Sequence, residues 1–446
     1  MKRWLLVLAW VLSVSACHGS PQPRETYPIK PGAVDDTDID EPSPAYNGVE
    51  AAMNNRHDHP RCQELQRRAD DANHLVDWLG DHLSEDLQVL LDSADTHRLQ
   101  LLVGELVDAG DGLTCLVQHG FRVDVEYFYP ASSIKTLASI AALQRLAGDD
   151  TQPSVDIDDP LWFEDILAFN YPQESIFDPL QFYPLQKLIK DAQIVSSNPA
   201  YNRLFDFVGH EQLNRSMWEA GLESTRLQHR FFSPLSTEQQ KWSPAVWRVA
   251  QDGSHLQLLR PQQRSSLDLP PIDVEGQQVG QSYIEDDAVI DTPMDFSTMN
   301  YLSLRDHQEL MIALFHPELS PVSFEGLNSG RDILIESMLY PPVDYASYLD
   351  DEDRRRFKTA LSGFEDHLSE DHIDYFNKGG RAYGFHIENA FVTDRQSQRG
   401  VFLTAALYVN ENERLNDGDY QYDELSFPFL HQLGSLVAQK FLVDND

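Results

Sequence analysis

The sequence has little positive charge. Its 34 lysines and arginines stand against 72 aspartates and glutamates, which gives a formal net charge of −38. A surface this acidic repels nucleic acid and anionic lipid, so we expect neither as a binding partner. Long apolar runs are also missing beyond the N-terminus, and no transmembrane helix is predicted there. The 41% of apolar residues is nevertheless enough to bury a large core in a chain of 446 residues.

Cysteine is scarce as well, with three in the chain. The first, Cys17, follows a charged start and an apolar stretch that ends in small residues, and residues 1–16 therefore predict an export signal peptide. Val14-Ser15-Ala16-Cys17 resembles a bacterial lipobox, which implies cleavage before Cys17 and lipidation of its thiol. His18 in the next position resembles the sorting signal of an outer-membrane lipoprotein facing the periplasm. An ordinary cleaved signal peptide is the alternative.

The other two cysteines are Cys62 and Cys115. An exported compartment permits disulfides, and two cysteines remain once the lipidated one is set aside. We predict a disulfide between them, while two buried free thiols stay open as the alternative.

Residues 17–60 are rich in proline, aspartate, glutamate and glycine and have few large apolar groups. This composition cannot bury a core and predicts a flexible acidic linker, which would tether the domain to a membrane through the N-terminal lipid only. His57-Asp58-His59 near its end is either a metal site or a solvated polar turn. We expect the turn, with no metal and no other cofactor.

Apolar periodicity predicts a folded domain over residues 61–446. The first part predicts a helical segment, a β-hairpin and a helix buried on all sides, while residues 226–290 are irregular, rich in proline, glutamine and serine. The later part predicts a helix, two alternating strands and a final helix. The predicted segments are Cys62–Ser93 (helical), Leu99–Val107 and Leu113–Phe121 (strands), a helix from Ser132, Thr292–Leu314 (helix), Gly379–Thr393 and Gly400–Val409 (strands) and Pro428–Phe441 (helix).

Three short motifs occur in order along this domain. Ser132-Ser133-Ile134-Lys135 opens the buried helix, Ser196-Ser197-Asn198 leads into another helix, and Lys378-Gly379-Gly380 begins an alternating strand. They match the S-x-x-K, S-x-N and K-[ST]-G elements of penicillin-interacting serine hydrolases. Asn202 follows Asn198 after four residues, where this family places another asparagine.

From these motifs the chain resembles the serine β-lactamase/penicillin-binding protein superfamily, most closely its class A-like branch. The resemblance covers roughly residues 95–446 and implies an α+β fold, in which an antiparallel sheet flanked by helices joins an all-helical subdomain. The helical part is expected at about 130–370 and the sheet is drawn from both ends of the domain. The site is expected where the two parts meet.

The resemblance implies that Ser132 is the nucleophile and that Lys135 is its general base. Residues i and i+3 share a helix face, so the lysine amine can reach the hydroxyl. A serine hydroxyl needs such a base, and a lysine serves as one when burial near another cation, here Lys378, lowers its pKa. Ser133 is not the nucleophile by this reasoning, because Thr136 stands where its base would be.

The remaining site residues are implied in the same way. Ser196 would shuttle a proton to the leaving nitrogen, Asn198 would hold the acyl side chain, and Lys378 would attract a substrate carboxylate. Gly379 and Gly380 would let the substrate lie close to the strand, and the backbone N–H groups of Ser132 and Arg381 would form the oxyanion hole. The alternative for Ser196 and Asn198 is that they simply cap the helix near Pro199.

The chain departs from the family at three points. Ser197 replaces the usual aspartate of S-D-N, and Gly379 removes a hydroxyl that would bind a β-lactam carboxylate. The E-x-x-L-N context of the deacylating glutamate has no match in residues 224–236, and Glu238 and Glu285 lie in different surroundings.

We therefore expect an exported serine hydrolase of β-lactamase or related amidase or peptidase type. It would form an acyl-enzyme on a small-molecule or peptide amide or ester, and it would turn penicillins over slowly. The alternatives are a penicillin-binding, peptidoglycan-processing DD-peptidase and a non-catalytic binding protein on this scaffold.

Overall fold

A computed structural model describes residues 59–72, 74–147, 155–164, 183–233, 235–249, 256–327, 330–339, 341–346 and 348–443. The predicted signal peptide, Cys17, His57, Asp58 and the linker up to residue 58 lie outside the described residues. In the described part of the chain, no helix has the length and apolar character needed to cross a membrane.

The helices bear out much of the predicted pattern. The segment predicted as helical from Cys62 to Ser93 contains three helices in succession, and the buried helix of the first motif follows a 3₁₀ turn at Ala131–Ile134. The helices are α1 Pro60–Ala72, α2 His74–His82, α3 Glu85–Asp92, α4 Lys135–Ala147, α5 Leu185–Gln193, α6 Asn198–Val208, α7 His210–Ala220, α8 Thr237–Gln240, α9 Leu304–Phe315, α10 Arg331–Leu339, α11 Pro342–Tyr345, α12 Asp351–Phe357, α13 Leu361–Phe364 and α14 Phe427–Val437.

The strands include the predicted pairs, together with short ones where irregular chain was expected. Residues 226–290 carry several two- to five-residue strands. The strands are β1 Gln100–Asp108, β2 Thr114–Phe121, β3 Pro160–Phe163, β4 Tyr183–Pro184, β5 Trp242–Ser243, β6 Val246–Val249, β7 Leu256–Arg260, β8 Gln263–Arg264, β9 Gln278–Val279, β10 Ser282–Glu285, β11 Ala288–Ile290, β12 Met294–Asp295, β13 Ile373–Asn377, β14 Gly380–Ala382, β15 Phe385–Asp394, β16 Arg399–Tyr408 and β17 Arg414–Leu415.

The main sheet is antiparallel throughout, in the order β13-β15-β16-β1-β2, and β14 pairs with β15. Its two faces are covered differently. One face packs on the helices of the central region, including α4, α6 and α9, and the other packs on α2, α3, α13 and α14. This arrangement confirms the predicted α+β class, with an antiparallel sheet flanked by helices and drawn from both ends of the domain. The central region is not all-helical as expected, because β3 to β12 form small sheets within it.

Two predicted boundaries are wrong. The run Gly379–Thr393 is two strands rather than one, because Tyr383 (φ 56°) and Gly384 (φ 83°) form a tight turn between β14 and β15. The helix expected from Thr292 begins only at Leu304. Ser303 caps it by accepting a hydrogen bond from the backbone N–H of Asp306 at 3.1 Å.

Candidate active site

The turn that carries Ser132 is tightly enclosed. It is a 3₁₀ turn in which Ala131 adopts φ 47°, and α4 begins directly after it at Lys135. Ala131 and Ile134 are buried, while Ser132 keeps partial exposure. Nine consecutive residues from Lys135 are buried, as the sequence predicted for this helix. The fold therefore fixes the backbone around Ser132 and leaves its side chain accessible.

The hydroxyl of Ser196 joins the first motif to the third. Its Oγ accepts hydrogen bonds from Lys135 Nζ at 3.2 Å and from Lys378 Nζ at 2.9 Å. Both lysines are buried, and Ser196 itself adopts an uncommon backbone conformation with φ 54°. Because the two lysines occupy the acceptor positions of the oxygen, its own O–H remains available to donate to another group.

Lys135 Nζ makes two further contacts with the second motif. It donates to Asn198 Oδ1 at 2.6 Å and to the backbone carbonyl of Ser196. An ammonium with three donors therefore has three acceptors from a single short segment. These contacts stabilise the protonated form of Lys135, the residue that the sequence predicted as the base.

The cap of α6 is Ser197, not Ser196 or Asn198. Ser197 Oγ accepts from the backbone N–H of Ala200 at 3.2 Å, and its backbone is extended as a cap requires. This answers the capping alternative left open by the sequence. Ser197, which stands where the family motif has an aspartate, therefore caps this helix.

The third motif contacts the nucleophile turn through Gly380. A Cβ on Gly380 would lie 2.5 Å from the backbone nitrogen of Ser132 and 2.8 Å from the carbonyl oxygen of Pro130. Only glycine allows β14 to approach the turn this closely. Arg381 follows, with its guanidinium 4.5 Å from the centre of the Phe427 ring, and burial lowers its pKa to about 10. The predicted oxyanion hole requires the backbones of β14 and the turn to lie side by side in this way.

Gly379 is constrained by its contacts with β15. A Cβ on it would lie 2.7 Å from the carbonyl oxygen of Ile387 and within 3.8 Å of the Glu388 carboxylate. A serine or threonine here would collide with β15. Packing therefore requires glycine at the position where the family motif has serine or threonine. A side chain at this position would point at Glu388.

Lys378 is held by the strands on either side of it. Its backbone N–H donates to the carbonyl oxygen of Asn389 at 3.0 Å. Its side chain is almost fully buried, and this burial lowers the pKa of Lys378 to about 7, while nearby Glu388 raises it. The lysine can therefore change its charge near neutral pH.

The loop that carries Phe231, which the sequence did not reveal, covers Lys135. Asn202 donates from Nδ2 to the carbonyl oxygen of Phe231 at 3.0 Å, and Asn202 Oδ1 accepts from the Phe231 N–H at 2.9 Å. The centre of the Phe231 ring lies 5.1 Å from Lys135 Nζ. The family motif pointed to Asn202 in the sequence, but its partner, Phe231, could not be predicted from the sequence.

The same loop is anchored on both sides of Phe231. Asn300 exchanges two hydrogen bonds with the backbone of His229, at 3.0 and 3.1 Å. The buried guanidinium of Arg230 donates to Asp206 Oδ1 at 2.6 and 2.8 Å. Phe231 is thus fixed with its aromatic ring beside Lys135.

The two glutamates considered as substitutes for the missing base lie elsewhere. Glu238 is exposed and forms ion pairs with Lys241 at 2.8 Å and Arg264 at 2.5 Å. Glu285 is exposed in the β10–β11 hairpin, opposite Ala288. Neither contacts a motif residue.

Ser133 has a structural partner that the sequence did not reveal. Its Oγ lies 2.7 Å from His307 Nε2, and His307 Nδ1 lies 2.9 Å from the carbonyl oxygen of Ser303. Since Nδ1 must donate to that carbonyl, the neutral ring presents Nε2 as an acceptor, and the Ser133 hydroxyl lies between Nε2 and the carbonyl oxygen of Pro130, to which it donates at 2.6 Å. Burial lowers the pKa of His307 to about 4. This uncharged pair of side chains joins the turn that carries Ser132 to α9.

Cys62 and Cys115 are joined by a disulfide, with 5.3 Å between their Cα atoms. It ties α1 to β2, at the outer edge of the sheet.

Comparisons with known proteins give the following matches. Residues 118–260, which include the first two motifs, match the model of the β-lactamase enzyme family. No protein of curated function matches significantly. Among solved structures, the β-lactamase from Desulfarculus baarsii DSM 2075 is 14% identical, with 79% of this chain and 95% of that chain covered and a TM-score of 0.44. The class A β-lactamase of the last common ancestor of Gram-negative bacteria is 14% identical, with 82% of this chain and 99% of that chain covered and a TM-score of 0.47. The β-lactamase from Sphaerobacter thermophilus DSM 20745 is 14% identical, with 80% and 97% covered and a TM-score of 0.45.

The family model covers Ser132, Lys135 and Ser196, and the structure adds Lys378 of the third motif to the same hydroxyl. Residues 118–260 are thus similar to the β-lactamase enzyme family, and the third motif lies outside the matched segment.

Proposed function

We propose that the protein is an exported serine hydrolase that forms an acyl-enzyme on Ser132 and releases the acyl group slowly. One observation carries this proposal: Lys135 and Lys378 share the hydroxyl of Ser196 beside the turn that carries Ser132. Slow release rests on the sequence, in which residues 224–236 contain no E-x-x-L-N match, and on the apolar ring of Phe231 beside Lys135.

Acylation would begin when Lys135 takes the proton of the Ser132 hydroxyl. The Ser132 oxygen then attacks the substrate carbonyl, and the resulting oxyanion accepts hydrogen bonds from the backbone N–H groups of Ser132 and Arg381. The new charge on Lys135 is stabilised by Ser196 and Asn198.

The leaving group would receive its proton through Ser196. Lys135 gives a proton to Ser196 Oγ across 3.2 Å as Ser196 passes its own proton to the leaving nitrogen or oxygen. The C–N or C–O bond breaks, and the acyl group stays on Ser132. Lys378, 2.9 Å from the same oxygen, polarises the hydroxyl and attracts a carboxylate on the substrate.

Deacylation would need a water molecule and a base to take its proton. Phe231 is buried and apolar, so its ring excludes water from this side of Lys135 and offers no lone pair. Loss of a general base typically slows a step by about 10²–10⁴-fold. We infer a long-lived acyl-enzyme, which suits a penicillin-binding enzyme acting on peptides as well as a slow β-lactamase.

A fluorescent penicillin tests the acylation half. Purified protein lacking residues 1–16 should carry the label through denaturing electrophoresis, and Ser132→Ala should carry none. Ser133→Ala is the matched control, because its hydroxyl is adjacent but turned toward His307. Equal labelling of Ser132→Ala and the unmodified protein would refute the proposal. No labelling of either would favour the binding-protein alternative.

Export and lipidation rest on the N-terminal sequence alone and form a separate part of the proposal. Expression in a bacterial host should give a membrane-bound, lipid-modified protein, and Cys17→Ser should not be modified. An unmodified wild-type protein that has lost its signal would refute lipidation and leave the catalytic proposal intact.

A further inference from the structure

Behind the active site, on the other side of the sheet, lies a buried carboxylate. Along β15, Ile387 and Phe391 pack in the core on the side of the helical region, whereas Ala390 and Val392 pack in the core on the opposite side. Glu388 shares the parity of the second pair and is fully buried. It therefore lies beneath the strand that presents Lys378 to the cleft.

One oxygen of this carboxylate has a well-formed hydrogen bond. Glu388 Oε1 accepts from Asn377 Nδ2 at 2.7 Å, whereas the buried Oε2 has no partner with normal hydrogen-bond geometry among the described residues. The Tyr375 hydroxyl and the Asn389 N–H lie close enough to lower the pKa of Glu388. Burial raises the pKa of Glu388, and nearby Lys358 lowers it. A buried carboxylate is costly unless positive charge compensates it.

Two buried lysines supply that positive charge. Lys358 is 5% exposed, and its Nζ donates only to backbone carbonyls, those of Met338 and, at 3.4 Å, Tyr375. Lys378 is also 5% exposed and has its Nζ at Ser196. Since neither lysine has a carboxylate within ion-pairing distance in the described structure, Glu388 is their shared longer-range counter-charge.

Gly379 places the carboxylate close to the motif. A Cβ on Gly379 would lie 3.7 Å from Glu388 Oε2 and 3.8 Å from Oε1. A larger residue would fill this space and screen the carboxylate from the strand. The glycine that departs from the family's K-[ST]-G pattern thus accompanies a buried glutamate directly behind it.

We propose that Glu388 is a positioning residue that keeps Lys378 charged for the binding of an anionic substrate, and that Lys358 opposes it. This inference rests on the proposed function. Among the described residues, the charged groups that act on Lys378 are Lys135 across Ser196, Glu388 on β15 and Lys358 before α13. Tyr375 on β13 and Arg381 on β14 interact with Glu388.

The sign of the effect follows from these charges. Lys378 binds an anionic substrate when protonated, so binding weakens as pH rises through the pKa of Lys378, which is about 7. Without the negative charge of Glu388 the ammonium is less stable, and this loss of binding occurs at lower pH. Without Lys358, a positive charge that repels the Lys378 ammonium is absent, and the loss of substrate binding occurs at higher pH.

The experiment compares Glu388→Gln, Lys358→Met and the double variant. Acylation by benzylpenicillin, an anion, is followed from pH 5 to 9 beside acylation by a neutral activated ester. Glu388→Gln should move the alkaline fall for benzylpenicillin down by about one pH unit, which is about tenfold in rate at pH 8, with the neutral ester little changed. Lys358→Met should move it up, and the double variant should lie between the two.

Glu309→Gln is the matched control. Glu309 is a partly buried carboxylate whose pKa burial raises, but it lies on α9 and accepts from Ser320 Oγ at 2.8 Å. The pH profile of acylation in Glu309→Gln should match that of the unmodified protein. An unshifted profile in Glu388→Gln would overturn the inference, as would equal losses with the anionic and the neutral substrate. If Glu388→Gln does not fold, the absence of an upward shift in Lys358→Met overturns it.

A second readout separates this inference from the proposed function. Lysines labelled with ¹³C at Cε report the titration of Lys378 by NMR, with Lys378→Arg used to assign its signal. The Lys378 midpoint should fall in Glu388→Gln and rise in Lys358→Met even if no penicillin reacts with Ser132. Unchanged midpoints would refute the role of Glu388, and changed midpoints without acylation would refute only the proposed function.

Discussion

Asn202 holds both backbone groups of Phe231, at 2.9 and 3.0 Å, and this pairing sets the aromatic ring over Lys135. The side chain that follows the second motif by one helical turn thus decides what covers the predicted base. Since that cover is apolar, the proposed function predicts that Ser132 is acylated faster than the acyl-enzyme is hydrolysed.

Substitution of Lys135 tests the general base. Lys135→Ala should slow acylation about a hundredfold or more, the usual scale for an acid–base group, because no other described amine contacts both Ser196 and Asn198. Stopped-flow acylation by a chromogenic cephalosporin measures the rate. Lys187→Ala, an exposed lysine paired with Asp191, should react normally. A Lys135→Ala rate within threefold of the unmodified protein would contradict the assignment.

Substitution of Phe231 tests the cause of slow release. Phe231→Glu should place a carboxylate beside Lys135 and speed deacylation by at least about tenfold, since a base becomes available to water. Phe231→Ala opens the same space without a base and should gain much less. Loss of the penicilloyl adduct over time, followed by mass spectrometry, gives both rates. Equal release from all three proteins would show that Phe231 does not limit hydrolysis.

The buried histidine behind the turn predicts acid sensitivity. The pKa of His307 is about 4 in the folded protein, below the usual 6.5, so only the unfolded state binds a proton between these values. Stability is therefore full above about pH 6.5 and falls as pH drops toward 4, by about 1.4 kcal/mol per pH unit for this residue. Urea unfolding of His307→Gln should show a slope smaller by that amount. An identical slope would refute the titration.

The disulfide predicts a reduction-sensitive domain. Cys62 and Cys115 are 53 residues apart, and closing a loop of that length in the unfolded chain contributes about 4 kcal/mol in the chain-entropy model. Reduction, or the Cys62→Ala/Cys115→Ala variant, should lower the free energy of unfolding by about that much. Peptide mapping without reductant checks the bond first. Recovery of both cysteines alkylated in the untreated protein would contradict it.

The sequence predicted the structural elements that depend on local spacing. Ser132 and Lys135 are three apart at a helix start, and the first strands and the final helix follow simple periodicity. The contact between Lys378 and Ser196 joins residues 182 positions apart, and only the resemblance to a family suggested it.

What the sequence could not predict depends on tertiary contacts. Phe231 and Glu388 have no motif of their own, because their roles come from the residues that the fold places against them. His307 likewise gains its partner, Ser133, from a distant helix. The late start of α9 was missed because apolar residues before Ser303 pair as short strands instead of continuing the helix.

Intact-mass spectrometry during and after exposure to benzylpenicillin tests the central claim most directly. We predict that the protein gains the mass of one penicillin, that the adduct maps to Ser132, and that it persists after excess penicillin is removed. Nitrocefin should then be hydrolysed well below the typical enzyme rate of about 10 s⁻¹. An adduct that survives Ser132→Ala, or sustained nitrocefin turnover above about 10 s⁻¹, would contradict the account.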